Sequence, residues 1–140
     1  CKSDNLSLNQ EENTSTLLNS FGKAICLDNE NLINVVTAIS GSGPAYIFYL
    51  VEVLSKIGMN QGLSAESAKV LALETLIGSA MLLESSNIDP KILRQNVTSP
   101  GGTTEAGLEI LASKKNGLFD LLNNTISCAK ERAIYLNSNN

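Results

Sequence analysis

Apolar residues recur along most of the chain at the three- and four-residue spacing of amphipathic α-helices, and not at the alternate positions typical of β-strands. Asp28 and Ser64 are suited to be N-caps, and Pro44 and Pro90 suit first helical turns. The pattern predicts helices over residues 28–39, 44–57, 65–84, 90–97, 105–113 and 118–136. No segment after Leu27 alternates with period two, so the rest of the chain is predicted to be all-α.

The pattern of the amino-terminal segment predicts a structural unit separate from these helices. Ser7 is suited to cap a first helix, and Gly22 stands where a left-handed C-terminal cap is expected. The apolar run at residues 23–27 has the character of a strand of a parallel sheet, although no partner strand follows in the sequence. Residues 1–27 are therefore predicted to be the end of another domain. The start at Cys1, without an initiator methionine, agrees with a fragment or a processed product of a longer polypeptide.

The predicted helix over residues 44–57 is apolar on every side, with Glu52 as its only charge before Lys56. Such a helix has to be covered all round, because each large apolar side chain left in water forfeits roughly 1.5–3 kcal/mol. A domain core could provide this cover, but the small size of the domain favours burial against a second copy of the chain. The sequence thus predicts a homodimer and leaves a higher oligomer of dimers open.

Composition supports association and excludes several classes of partner. Charged residues make up 17% of the chain and apolar residues 43%, which leaves little charge for the surface of an isolated small domain. The net charge of −4 and the scattered lysines and arginines provide no basic stripe for nucleic acid. The longest uncharged stretch, residues 32–51, is broken by the turn at residues 40–44, so no membrane-spanning helix is predicted.

The side chains available for chemistry are limited. The chain contains no histidine, which removes the usual Ser-His and Cys-His nucleophile pairs and most catalytic zinc sites. Cys1, Cys26 and Cys128 are widely spaced, so neither a disulfide framework nor a metal site is expected, and a reducing cytoplasm fits this pattern. Any reaction has to rest on hydroxyls, carboxylates, lysines or backbone amides.

A glycine-rich turn precedes the apolar helix and reads Gly41-Ser42-Gly43-Pro44-Ala45-Tyr46. It begins like a dinucleotide-binding fingerprint, but Tyr46 stands in place of the last glycine and a helical pattern, not a strand, precedes it. Two interpretations stay open. The segment is either a tight turn that lets two helices approach closely, or a turn that also contacts a ligand.

The sharpest chemical signal is Ser99-Pro100-Gly101-Gly102-Thr103-Thr104, at the start of a predicted helix. Glycines let the backbone approach a ligand, and the free N–H groups at a helix start suit a carboxylate or a phosphate. Thr103 and Thr104 add hydroxyl donors. The alternative is a Pro-Gly turn in which Thr103 or Thr104 is only the N-cap of the helix.

Two segments, Ser40-Gly41-Ser42-Gly43-Pro44-Ala45-Tyr46 and Val97-Thr98-Ser99-Pro100-Gly101-Gly102-Thr103-Thr104, closely resemble pyrroline-5-carboxylate reductases in residues, order and separation. The resemblance extends over nearly the whole chain from about Phe21 to Arg132. It implies a reductase of the last step of proline biosynthesis, which reduces 1-pyrroline-5-carboxylate to L-proline with NADPH or NADH. In that family an amino-terminal Rossmann domain binds the nucleotide, and carboxyl-terminal helices interlock two subunits.

The resemblance implies a division of the chain into two parts. Residues 1–27 would be the terminal helix and strand of the Rossmann domain, and residues 28–140 would be the all-α dimerisation and substrate-binding domain. No residue of this chain is assigned to the nucleotide. Without the nucleotide-binding half, the chain is therefore expected to be a catalytically inactive dimerisation module.

The resemblance also implies site residues. Ser99, Gly102 and Thr103 would bind the substrate carboxylate, and Thr104 would donate a hydrogen bond to the ring nitrogen. Many relatives carry a glutamate a few residues before the proline that matches Pro90, and the present chain is one residue longer in that segment. Three residues stay open for the contact with the substrate amine: Glu84, Asn87 and Asp89.

Overall fold

The computed structural model describes residues 6–139 as helices joined by short turns, so the predicted mostly α fold is confirmed; Cys1 lies outside the described residues. The helices are α1 (Leu8–Phe21), α2 (Ile33–Val36), α3 (Gly43–Asn60), α4 (Ala65–Ser86), α5 (Pro90–Asn96), α6 (Thr103–Leu111) and α7 (Leu118–Ser138). A 3₁₀ turn (Glu30–Leu32) leads into α2, and a π-helical turn (Thr37–Gly41) follows it. By length and hydropathy, none of the helices in this range could cross a membrane.

Local capping chemistry begins most of these helices where the sequence predicted. Ser7 and Gln10 form a capping box at α1, in which each side chain binds the backbone of the other residue. The hydroxyl of Ser64 accepts a hydrogen bond from the N–H of Ser67 at 3.1 Å and begins α4. Asp89 caps α5 in the same way, and prolines stand in the first turns of α3 and α5. These starts are therefore fixed by short-range interactions.

Two helix caps predicted in the amino-terminal part of the chain are wrong. The N-cap ahead of α2 is Asn29 and not Asp28, because the first turn is 3₁₀ and the Asn29 side chain accepts from the N–H of Asn31 at 2.9 Å. Gly22 ends α1 at φ 157° and ψ −168°, which is not the left-handed helical conformation that was predicted. Gly22 therefore does not form the left-handed cap that closes many helix ends.

The strand predicted at residues 23–27 is not formed in the described part of the chain. A strand needs a neighbour to take up its backbone hydrogen bonds, and no other segment within residues 6–139 is extended beside it. The segment lies against α1 instead, where the side-chain oxygen of Asn19 accepts from the N–H of Ala24 at 3.2 Å. Of the predicted helix–strand unit, only the helix is present as regular structure.

The α3–α4 hairpin is the main packing unit of the fold. Its two helices approach closely at Gly58, where an added Cβ would lie 3.1 Å from Cβ of Ala68 and 3.2 Å from Cδ1 of Leu63. Ala68 and Ala72 are the buried residues of α4. Gly62, at φ 101°, reverses the chain between the helices. The hairpin is therefore closed by small residues.

A second packing unit joins the α2 region to the last helix. Helix α2 and the π-helical turn both pack against α7, and Ala38 within that turn is fully buried. The side-chain amide of Asn137 donates to the side-chain oxygen of Asn34 at 3.0 Å across 103 positions of sequence. The carboxyl-terminal helix is thus attached to the segment that introduces α3.

Very little apolar surface is buried within the chain. Among residues 6–139, the only buried apolar side chains are Ala38, Ala68 and Ala72. The chain exposes 11,533 Å², whereas a compact monomer of 14.9 kDa would expose about 7,000 Å². The exposed large apolar residues of α3 are Ile47, Phe48, Tyr49, Leu50, Leu54, Ile57 and Met59. The prediction that α3 is apolar all round and that its own chain does not cover it is therefore confirmed.

Substitution at the helix crossing tests the role of the small residues. We expect Gly58→Ala to lower the free energy of unfolding by about 1–3 kcal/mol, because its new methyl group would push Ala68 and Leu63 away from α3. Gly78→Ala is the matched control in α4, since an added Cβ meets nothing within 4 Å there. The control should be stabilising by up to about 1 kcal/mol through helix propensity. Denaturant unfolding that shows equal stability for the two variants would contradict this packing.

Candidate functional site

The segment between α5 and α6 folds as a tight turn. The N–H of Gly102 donates to the carbonyl oxygen of Ser99 at 3.0 Å, and Gly101 has a φ of +71°. Pro100 at the second position and a left-handed glycine at the third are the signature of a type II β-turn. The conformation of this loop follows directly from the order of its residues.

Gly102 is the N-cap of α6, and the turn leaves no room for a side chain at this position. A Cβ at this position would lie 2.5 Å from Oγ of Ser99 and 3.0 Å from the carbonyl oxygen of Ser99. A glycine offers no side-chain acceptor, so α6 has no side-chain cap from its N-cap residue. The interpretation that Thr103 or Thr104 caps this helix is wrong, because both residues lie inside its first turn.

The first turn of α6 presents unpaired donors to solvent. Within residues 6–139, no hydrogen bond uses the N–H groups of Thr103, Thr104 and Glu105, and the first N–H of the helix that has a backbone acceptor belongs to Ala106. The hydroxyls of Thr103, Thr104 and Ser99 are exposed and also have no partner in this range. Aligned N–H groups at a helix start, together with hydroxyl donors, form a site for a carboxylate or a phosphate.

Thr98 connects this loop to the preceding helix by two hydrogen bonds. Its hydroxyl donates to the carbonyl oxygen of Arg94 at 2.6 Å, and its N–H donates to the carbonyl oxygen of Gln95 at 3.0 Å. The same three residues line an open cavity of about 410 Å³ together with Leu108 and Ala112 of α6. Arg94 therefore brings a positive charge to the cavity beside the loop.

Glu105 takes part in the loop, although its role was not predicted. Its Oε2 accepts a hydrogen bond from the N–H of Gly101 at 2.7 Å. The sequence signal for such a contact is a capping residue followed three positions later by glutamate. Glycine at the capping position hid this signal, although the spacing from Gly102 to Glu105 is the same.

The glycine-rich turn before α3 does not have the geometry of a nucleotide site. The π-helical turn precedes it where a fingerprint requires a strand, and the N–H of Ser42 donates back to the carbonyl oxygen of Thr37 at 2.9 Å. Pro44 then continues directly into α3. The described residues therefore do not fit the pyrophosphate of a dinucleotide, and contact of this turn with another ligand stays a prediction.

The three residues left open for the substrate amine have different local roles. Asp89 accepts from the N–H of Lys91 at 2.8 Å and is engaged as the N-cap of α5. Asn87 ends α4 in the left-handed conformation at φ 52°. Glu84 lies in the last turns of α4. No hydrogen bond of the described residues joins any of the three to the loop before α6.

Comparisons with known proteins agree on one family. The family model described as pyrroline-5-carboxylate reductase dimerisation matches residues 30–136. A pyrroline-5-carboxylate reductase of Pseudomonas aeruginosa is 42% identical over 127 residues, which cover 91% of this chain and 46% of that protein. The relative from Aquifex aeolicus is 39% identical over 132 residues, covering 91% of this chain and 49% of that protein. The chain spans about half the length of the relatives it matches.

Solved structures show the same correspondence. The pyrroline-5-carboxylate reductase of Coxiella burnetii matches with a TM-score of 0.85 and 34% identity over 96% of this chain and 49% of that one. The Plasmodium falciparum pyrroline carboxylate reductase, solved with NADP bound, matches with a TM-score of 0.74 and 33% identity over 94% of this chain and 49% of that one. The arrangement of helices described above is therefore the one found in these structures.

The type II turn can be tested at its left-handed residue. We expect Gly101→Ala to destabilise the turn by about 1–2 kcal/mol, because a side chain disfavours its positive φ. The measurement is amide hydrogen exchange at residue 102, whose N–H closes the turn, and this exchange should accelerate about tenfold. Gly107→Ala, inside α6 with open space around it, is the control and should leave that exchange unchanged. Equal exchange in all three proteins would rule out the turn.

Proposed function

The chain belongs to the pyrroline-5-carboxylate reductase dimerisation family, and from that premise we propose that it is the substrate-binding and dimer-forming part of an NAD(P)H-dependent reductase. The reaction is the reduction of the ring imine of 1-pyrroline-5-carboxylate to L-proline. The observation that supports it best is the turn before α6, which carries the family's motif and presents three free N–H groups beside exposed hydroxyls. A carboxylate is the part of the substrate that such a site binds.

Ser99, Gly102 and Thr103 hold the substrate carboxylate in this proposal. The hydroxyls of Ser99 and Thr103 and the N–H of Thr103 are available as donors. Gly102 contributes differently, because its own N–H already closes the turn. Because Gly102 has no side chain, the space beside Ser99 stays open, whereas a Cβ at Gly102 would collide with Ser99. Hydrogen bonds to a charged carboxylate are about twice as strong as those between neutral groups.

Thr104 orients the reacting bond. Its side chain is exposed in the first turn of α6, one residue beyond Thr103, with its hydroxyl free to donate a hydrogen bond to the ring nitrogen. A carboxylate fixed by Ser99 and Thr103 limits the positions that the ring can take. Holding the reacting atoms in one geometry is itself a large catalytic contribution. Thr104 is therefore the proposed catalytic residue.

NADPH or NADH is the proposed reductant. In this proposal the nucleotide is bound by residues other than the described ones. The Plasmodium falciparum relative was solved with NADP bound, and this chain matches about half of that protein. Within residues 6–139, no strand leads into a glycine turn and helix, so these residues do not fit a nucleotide. The same observation supports a second proposal, that the chain alone is a dimerisation module without reductase activity.

A homodimer is the proposed state of the protein. The chain exposes about 4,500 Å² more than a compact monomer of its mass would, and obligate interfaces exceed about 2,000 Å². Much of the excess is the apolar surface of α3 and α4, which a second copy would cover. Cys26 and Cys128 are both free thiols, which supports the proposal of a reducing, cytoplasmic location.

The dimer proposal predicts the effect of placing charge on α3. We expect Phe48→Lys, at a side chain that is 72% exposed in the single chain, to abolish the folded dimer, because an unpaired charge would be buried between subunits. Leu8→Lys on α1 is the matched control, since Leu8 is 81% exposed and lies outside the family match. Sedimentation and circular dichroism distinguish the outcomes. A cooperatively folded wild-type monomer at nanomolar concentration would exclude the dimer.

The proposed roles of Thr104 and Ser99 predict different kinetic effects. In the whole enzyme, Thr104→Val keeps the shape of the side chain but removes its hydrogen-bond donor. We therefore expect kcat to fall about 100-fold, near the lower end of the range of rate effects for positioned groups that transfer or donate protons. Ser99→Ala should mainly raise KM, because a carboxylate is held equally in the ground and transition states. Both variants should keep the wild-type dimer and helix content. Wild-type kcat in a folded Thr104→Val enzyme would remove Thr104 from the mechanism.

A further inference from the structure

The substrate loop is joined to the helix that follows it without a side chain from the N-cap residue, as is the turn before α7. Most helix starts are closed by the side chain of the N-cap residue, but Gly102 has none. The loop also contains Gly101, whose backbone has a wide range of conformations available when nothing holds it. The carbonyl oxygen of Gly102 accepts from the N–H of Ala106, so the part of the turn that remains to be fixed relative to α6 is its tip at Gly101.

Glu105 provides that fixation in the structure. It occupies the third position of α6, from which a glutamate in a capping box usually reaches back to the N–H of the N-cap residue. That N–H belongs to Gly102 and is already bound to the carbonyl oxygen of Ser99. The carboxylate of Glu105 therefore reaches one residue further and accepts from the N–H of Gly101 at 2.7 Å. This single bond joins the tip of the turn to the helix.

We propose that Glu105 is a positioning residue for the substrate carboxylate, which it holds in place indirectly by fixing Gly101 and thereby the donors of Ser99, Thr103 and Thr104. The inference rests on the function proposed above. Glu105 is not a ligand of the substrate carboxylate itself, because both groups carry negative charge. Its carboxylate also takes the Gly101 N–H out of the set that faces a ligand, which leaves the N–H groups of the first helical turn as the anion site.

The hydrogen bond and the charge of Glu105 have opposite consequences and can be separated. The bond orders the loop and favours substrate binding, whereas the negative charge beside an anion site opposes it. Glu105→Gln keeps a side-chain acceptor and removes the charge. Glu105→Ala removes both. Because the two variants have the same net charge, the ratio of their KM values contains no charge effect, and comparison with the same pair of variants at Glu109 isolates the loss of the hydrogen bond.

The experiment measures steady-state reduction of 1-pyrroline-5-carboxylate by the whole enzyme carrying each variant. We expect KM to be about threefold to tenfold higher for Glu105→Ala than for Glu105→Gln, the range of one neutral hydrogen bond. The value of kcat should differ much less, since the carboxylate is bound equally in ground and transition states. Glu109, one turn further along α6 and without a hydrogen bond in the described residues, is the matched control. Its Gln and Ala variants should have equal KM values.

Amide hydrogen exchange at Gly101 provides a second measurement that does not depend on activity. We expect exchange at Gly101 to be about threefold to tenfold faster in Glu105→Ala than in Glu105→Gln, and to be equal in the two Glu109 variants. Equal exchange and equal KM in the two Glu105 variants would overturn the inference while leaving the reductase proposal intact. A whole protein that does not reduce the substrate would refute the proposed function, and the exchange at Gly101 would still decide whether Glu105 fixes the loop.

Discussion

The packing of α3 against α4 through small residues is the constraint on which the rest of the fold depends. Gly58, Ala68 and Ala72 let the two backbones come close, but they bury little area because they have little side chain. Most of the larger apolar residues of both helices stay exposed in the single chain. The chain thus has close contacts without a core of its own, and its stability has to come from surfaces that it does not cover by itself.

The loop between α5 and α6 is organised on a different principle. Its geometry is produced by residues that are neighbours in sequence: the proline, the two glycines, Ser99, Thr98 and Glu105. Neither the turn nor the free N–H groups of α6 depend on distant contacts for their conformation. A site of this kind can keep its internal geometry wherever α5 and α6 are placed. In the proposed function, recognition of the substrate carboxylate is therefore local, and the larger assembly sets the surroundings of the rest of the substrate.

The parts of the structure that the sequence predicted well are those with local causes. Ser64 and Asp89 begin their helices as expected because a side chain binds an N–H two or three residues away. The same reasoning gave Asp28 as the cap ahead of α2, whereas the cap in the structure is Asn29. Both residue types cap helices well, and the 3₁₀ geometry that decides between them has no clear signal in the sequence. The run at residues 23–27 has the pattern of a strand but needs hydrogen-bond partners that the described residues do not supply. Glu105 was missed because the N-cap of α6 is glycine, so the capping side chain that usually marks a glutamate three positions later as its partner is absent.

The π-helical turn between α2 and α3 makes the length of that connection critical. Its Ser42 N–H reaches the carbonyl oxygen five residues back, one residue more than in an α-helix. Removing a single residue from Thr37–Gly41 would restore the ordinary spacing and rotate α3 by about 100° relative to α2. The α3–α4 hairpin would then project in another direction from α2, although every side chain of α3 was unchanged. Homologous chains should accordingly vary in the length of exposed loops while keeping this short connection free of insertions and deletions.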